Sequence, residues 1–110
     1  MKLPHREDAY VPEAKLLEYL LSETHPVGRW KARFLAALGF DKTNVAVLEQ
    51  NLLAIAHDQE VIETIPSVYG TKYVIDGTLQ TSTGNPLQVR TVWVIDTGQN
   101  RPRLVTAYPV

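Results

Sequence analysis

Hydrophobic positions along this chain change their period once, near Asp58. Before that point they recur every three or four residues, as on one face of a helix. Leu16, Leu17, Leu20 and Leu21 form a first stripe, and Pro12 with Glu13 suits a helix start. The pattern predicts a helix from about Pro12 to Ser22. Pro26 opens a second, carrying Val27, Trp30, Phe34, Leu35 and Leu38 and stopping at Gly39, a residue suited to a left-handed cap. Asp41 is placed to cap a third, in which Val45, Leu48, Leu52 and Ile55 form the buried stripe.

After Asp58 the period falls to two. Val61 to Ile65 reads as a short edge strand ended by Pro66 and Ser67. Tyr73, Ile75 and Leu79 alternate with Lys72, Val74 and Thr78 as in a strand. Turn residues at 82–85 and 97–100 then separate strands at Leu87–Ile95 and Leu104–Tyr108. Turns this short return a chain only in the antiparallel sense. The expected class is α+β: three N-terminal helices packed on one face of a three- to four-stranded antiparallel meander. One domain spans residues 1–110, with an N-terminal arm at 1–11, a helical part at 12–57 and the sheet at 60–110.

Centring each turn in its hairpin sets Gly77 opposite Arg90, Ile75 opposite Val92, and Val92 opposite Ala107. Tyr73, Ile75, Val92, Val94, Val105 and Ala107 then share the face that receives the helices, and Arg90 turns towards it beside Gly77. Lys72, Val74, Thr91, Trp93, Ile95, Thr106 and Tyr108 face solvent. That mixture has two explanations: cross-strand stabilisation by residues that suit strands, or a shallow binding surface. A slip of one residue in register exchanges the faces.

Composition narrows the classes. At 110 residues and 45% hydrophobic, the chain holds one core. No apolar run approaches the ~18 residues of a membrane span. There is no cysteine, which excludes disulfides and thiol chemistry. Residues Met1–Tyr10 carry charges with no apolar stretch behind them, unlike a secretory signal, so a cytoplasmic protein is expected.

The formal charge of -1 hides an uneven distribution. No acid lies between Glu23 and Asp41, where Arg29, Lys31 and Arg33 accompany His25, and none follows Asp96, where Arg101 and Arg103 lie. Brought together, the two basic segments would make a local anion site; kept apart, they are solvated faces. Lys31 sits at the edge of the second helix's apolar stripe, where it either snorkels to water or holds an anion in a sheltered site. His25, at a helix start, serves either as a local cap or as a neutral base favoured by the dipole. No histidines stand at metal-ligand spacing, and no phosphate loop or nucleophile elbow occurs, so neither metal nor cofactor is expected.

Three blocks stand out in order: HPVGRWKARFLAALGF from His25, YGTKYVIDGTL from Tyr69, and VRTVW followed by RLVTAYP ending at Pro109. Together, over about residues 3 to 109, they resemble an uncharacterised bacterial family of small domains found alone and in phage-associated and polymorphic-toxin proteins. The ending LVTAYP also looks like the final strand of ribonuclease toxins of the barnase, EndoU, colicin and RelE type, the BECR fold. That resemblance implies metal-independent cleavage of single-stranded RNA on the open face of a sheet. It assigns His25 as base or acid, Lys31 and Lys72 to the phosphorane, and Thr106 and Tyr108 to phosphate contact or proton donation. Arg29, Thr91 and Trp93 are expected to bind substrate, Trp93 by stacking a base. The competing expectation is a non-catalytic adaptor that binds a protein partner through Trp93 and Tyr108. A third is an antitoxin-like partner. An inhibitor protein would accompany an active toxin.

Overall fold

The computed structural model describes residues 1–15, 39–40, 44–80 and 86–110. Helix α1 spans Val45–Asp58 and buries Leu48, Leu52, Ile55 and Ala56. Their spacing of four, three and one keeps all four on one side of a 3.6-residue turn. His57 in the last turn suits the negative end of the helix dipole. At the other end Asn44 stands at the N-cap without a side-chain capping bond; its Nδ2 donates to the carbonyl of Gly39, whose φ of 91° lies in the left-handed region.

Four strands follow: β1 Val61–Pro66, β2 Gly70–Leu79, β3 Leu87–Asp96 and β4 Arg103–Pro109. They pair antiparallel in the order β1-β2-β3-β4. Among the described residues strand thus outweighs helix, with α1 lying on a four-stranded sheet. This corrects the expectation of three helices packed on a meander. The first two of those helices fall almost wholly on residues outside the described ones, as does the Asp41 cap. Among the described residues, no helix is long and apolar enough to cross a membrane.

Residues 1–11 do not extend as an arm. Leu3 and Val11 are buried in the core. Tyr10 lies parallel to the start of β4, its N–H donating to the Pro102 carbonyl at 3.0 Å and its carbonyl accepting from Leu104 at 3.1 Å. The Arg101 guanidinium stacks 4.1 Å over the Tyr10 ring and donates from Nε to the Asp8 carbonyl. The segment thereby covers part of the β4 edge, which would otherwise offer unpaired backbone groups.

Helix α1 seats on the sheet where β2 has no side chain. A Cβ added at Gly77 would lie 2.7 and 2.8 Å from the two γ-carbons of Ile55. Around that contact Ile75, Leu79, Val89, Trp93 and Leu104 complete the core.

The register differs by one residue from the centred hairpin. Leu79 pairs with Leu87, so an odd number of residues, 80–86, separates the paired ends and no peptide bond lies at the midpoint. Gly77 therefore opposes Val89, Ile75 opposes Thr91, and Arg90 opposes Asp76. In the second hairpin Val92 opposes Thr106, and a bulge follows, because Trp93 opposes Leu104. Faces on β2 and β4 stand as expected for Tyr73, Ile75, Lys72, Thr106 and Tyr108. Strand β3 is turned over: Thr91 and Trp93 point to the core, while Arg90, Val92 and Val94 point outward.

Candidate functional site

The sheet face away from α1 carries its side chains in cross-strand rows. At one end Gln88 Nε2 donates to Thr78 Oγ1 at 2.7 Å. The next row is Asp76–Arg90–Tyr108, set side by side by the β2–β3 and β3–β4 pairings. Arg90 grips Asp76 with two donors, Nε to Oδ1 at 2.8 Å and a terminal nitrogen to Oδ2 at 3.0 Å. This fork geometry is the strong form of an arginine–carboxylate pair. Hydrogen bonding to Asp76 is the largest cause raising the guanidinium above its ordinary value, opposed by desolvation, and the neighbouring Tyr108 adds a smaller effect in the same direction.

A step of Val74, Val92 and Thr106 comes next. Beyond it Lys72, Val94 and Arg103 form a second charged row, and Asp96 stands at the strand end. Arg103 grips Asp96 as Arg90 grips Asp76, at 2.8 and 3.1 Å. That hydrogen bonding holds the Asp96 carboxyl below its ordinary value of 3.8, against a smaller opposing effect of desolvation. The same bonding, again opposed by desolvation, raises Arg103. Lys72 differs from both arginines: among the described residues it has no ion pair and no side-chain hydrogen bond.

A cleft of about 420 Å³ opens at this second row, lined among others by Ile65, Tyr69, Lys72, Val94, Asp96 and Arg103. Its size lies within the ordinary range of small-ligand sites, roughly 300–1,000 Å³.

Of the residues singled out from sequence, Lys72, Thr106 and Tyr108 share this outer face. Lys72 and Tyr108 do not converge: their rows lie four residues apart along the strands, ~13 Å. Thr91 and Trp93 are buried, each 0% exposed. The Trp93 indole donates to Thr91 Oγ1 at 2.8 Å, and that hydroxyl donates to the Ile75 carbonyl at 2.7 Å. Trp93 therefore cannot stack a base, and neither residue reaches the outer surface. His25, Arg29 and Lys31 lie outside the described residues.

Asp76, Asp96, Arg103 and Tyr69 were missed as site residues, and Arg90, which could bind a phosphate, was set aside because the centred register turned it inward. The signal for Arg90 was present, since Gln88 and Arg90 alternate with Leu87 and Val89, an outward-polar pattern that fixes the strand's face. His5, Glu7 and Asp8 bring ligand atoms within 4.8 Å of one another, all exposed on a single 3-10 turn.

Residues 2–110 match the sequence profile of DUF6883, a domain of unknown function. The chain belongs to the DUF6883 family. No curated protein sequence matches this DUF6883 chain. Its fold is similar to that of a chain in the contact-dependent growth inhibition toxin–immunity protein complex from Klebsiella pneumoniae 342. The TM-score is 0.75, over 94% of this chain and 95% of that one, at 18% identity. At that identity the likeness is one of fold.

Proposed function

We propose that this DUF6883 domain is a toxin-related module that binds and cleaves single-stranded RNA on the outer face of its sheet. The observation that carries the reading is the Asp76–Arg90–Tyr108 row on a face without α1, with Lys72 and Arg103 further along the same strands. The fold likeness to a chain of a toxin–immunity complex supports it.

In this reading Arg90, held in place by Asp76, binds the scissile phosphate through its remaining donors and stabilises the charge that develops there. A base removes the proton of the ribose 2′-hydroxyl, the 2′-oxygen bonds to phosphorus, and the 5′-oxygen leaves with a proton. Tyr108 supplies that proton and Thr106 hydrogen-bonds the phosphate. His25 is the proposed base and Lys31 a further cation; Arg29 is assigned to the RNA backbone. The steps use side chains alone, so cleavage is expected to persist in EDTA.

Incubating purified protein with single-stranded RNA in EDTA tests this. Wild type should cut, while Arg90→Ala and Tyr108→Phe should each lose at least about 100-fold, the lower range for one acid–base or charge-stabilising group. No cutting by folded wild type, or cutting by both variants at the wild-type rate, overturns the reading.

A second reading, a non-catalytic domain that binds a protein partner, is favoured by strand β1. It is an edge strand with which no further strand pairs among the described residues, and Ile62 is 53% and Ile65 43% exposed. Harmless expression in a host together with no RNA cleavage would select it.

A further inference from the structure

The cleft beside Lys72 has features that binding at the Arg90 row does not use. Tyr69 on its rim is 83% exposed, yet the turn that carries it is braced on every side. Ser67 Oγ donates to the Gly70 carbonyl at 2.9 Å and accepts from the Tyr69 N–H at 3.2 Å. The β3–β4 turn holds the same segment twice: the Thr97 N–H donates to the Tyr69 carbonyl, and Thr97 Oγ1 to the Val68 carbonyl. Gly70 lets the strands close beneath it, since a Cβ there would lie 2.5 Å from the Ile95 carbonyl oxygen. A braced backbone thus presents an aromatic ring to solvent, so binding there orders little further backbone.

The cleft is also lined by Ile65, Val94 and Val105 and by Lys72, whose ammonium has no ion pair among the described residues. Arg103 and Asp96 satisfy each other, so the excess charge at the cleft is that of the lysine. A flat apolar ring carrying one anionic group matches this arrangement, and a nucleotide is such a molecule.

We propose that the cleft is a nucleotide subsite, in which Tyr69 stacks on the base and Lys72 holds the phosphate. The proposal rests on the RNA reading and extends it. The ~13 Å between the Lys72 and Arg90 rows places this nucleotide outside the scissile position. It is a binding subsite that selects and anchors the strand.

Titration of the folded protein with adenosine monophosphate, adenosine and inorganic phosphate, followed by NMR, tests the assignment. Adenosine monophosphate should shift the signals of Tyr69, Gly70, Lys72 and Val94. Tyr69→Ala should weaken it about five- to a hundredfold, the range for loss of one stacked base. Lys72→Gln should weaken adenosine monophosphate about tenfold while leaving adenosine unchanged. Val68→Ala, an equally exposed neighbour on the same turn, should have no effect. Equal nucleotide affinity in wild type, Tyr69→Ala and Lys72→Gln, or shifts confined to other surfaces, overturns the subsite. If wild type cuts RNA and these variants cut and bind as it does, the subsite fails while the cleavage reading stands. Nucleotide binding at the cleft without any RNA cleavage leaves the subsite in place and removes the catalytic reading.

Discussion

The two faces of this one sheet handle polar groups in opposite ways. On the inner face the Thr91 hydroxyl both accepts from the Trp93 indole and donates to the Ile75 carbonyl, so the buried donors there are satisfied among themselves. That is the condition under which polar groups sit in a core without a large penalty. On the outer face each arginine is matched by one aspartate, but Lys72 and the Tyr69 ring are left to solvent. The difference separates what holds the domain together from what is available to a ligand.

The comparison breaks first at Trp93. Trp93→Ala removes a fully buried ring and should cost about 3–5 kcal/mol, read as a lower urea midpoint with an unchanged slope. A loss below about 1 kcal/mol would return the indole to the surface and restore the centred register. Gly77→Ala should follow at about 1–3 kcal/mol, because the new methyl meets both γ-carbons of Ile55. Combining it with Ile55→Ala should give less than the sum of the two losses, and strict additivity would deny the contact.

The outer face should respond in the reverse order. Arg90→Ala and Tyr108→Phe should melt near the wild-type temperature while removing RNA cleavage. Variants that unfold and lose activity in proportion would merge the two faces into one structural role.

The smallest effect concerns acid. Asp96 is held below its ordinary value of 3.8 by Arg103, so its contribution to stability is complete above that pH. It fades as pH falls through the lower folded value, when the carboxylate takes up a proton and releases the guanidinium. Asp96→Asn should flatten that part of the stability–pH curve, and an unchanged curve would show the pair to be energetically idle.

Strands β2 and β4 and the buried stripe of α1 were legible because their hydrophobic positions alternate or recur without ambiguity. Strand β3 was not. Its second half, Val92-Trp93-Val94-Ile95, is apolar on both faces, so hairpin centring decided its orientation and an odd-length connection defeated that choice. Gln88 and Arg90 in the first half carried the better signal. The bulge after Val92 had no sequence mark, since neither glycine nor proline stands at Val105. Lys72, Thr106 and Tyr108 were legible as outward residues, but the two arginine–aspartate pairs depend on register and were not. Tyr69 was hidden for another reason: its exposure comes from turn bonds to Thr97, 28 positions away in sequence.

The central claim is that the sheet's outer face is the working surface of this DUF6883 domain. Titrating a short single-stranded oligoribonucleotide, with its 2′-hydroxyls blocked by methylation, into isotope-labelled protein tests it most directly. The account predicts chemical-shift changes running along the outer rows, from Tyr69 and Lys72 through Thr106 to Arg90 and Tyr108, with the Trp93 indole signal nearly still. Changes concentrated on the exposed side of α1, or none at concentrations that saturate ordinary single-strand binders, would contradict it.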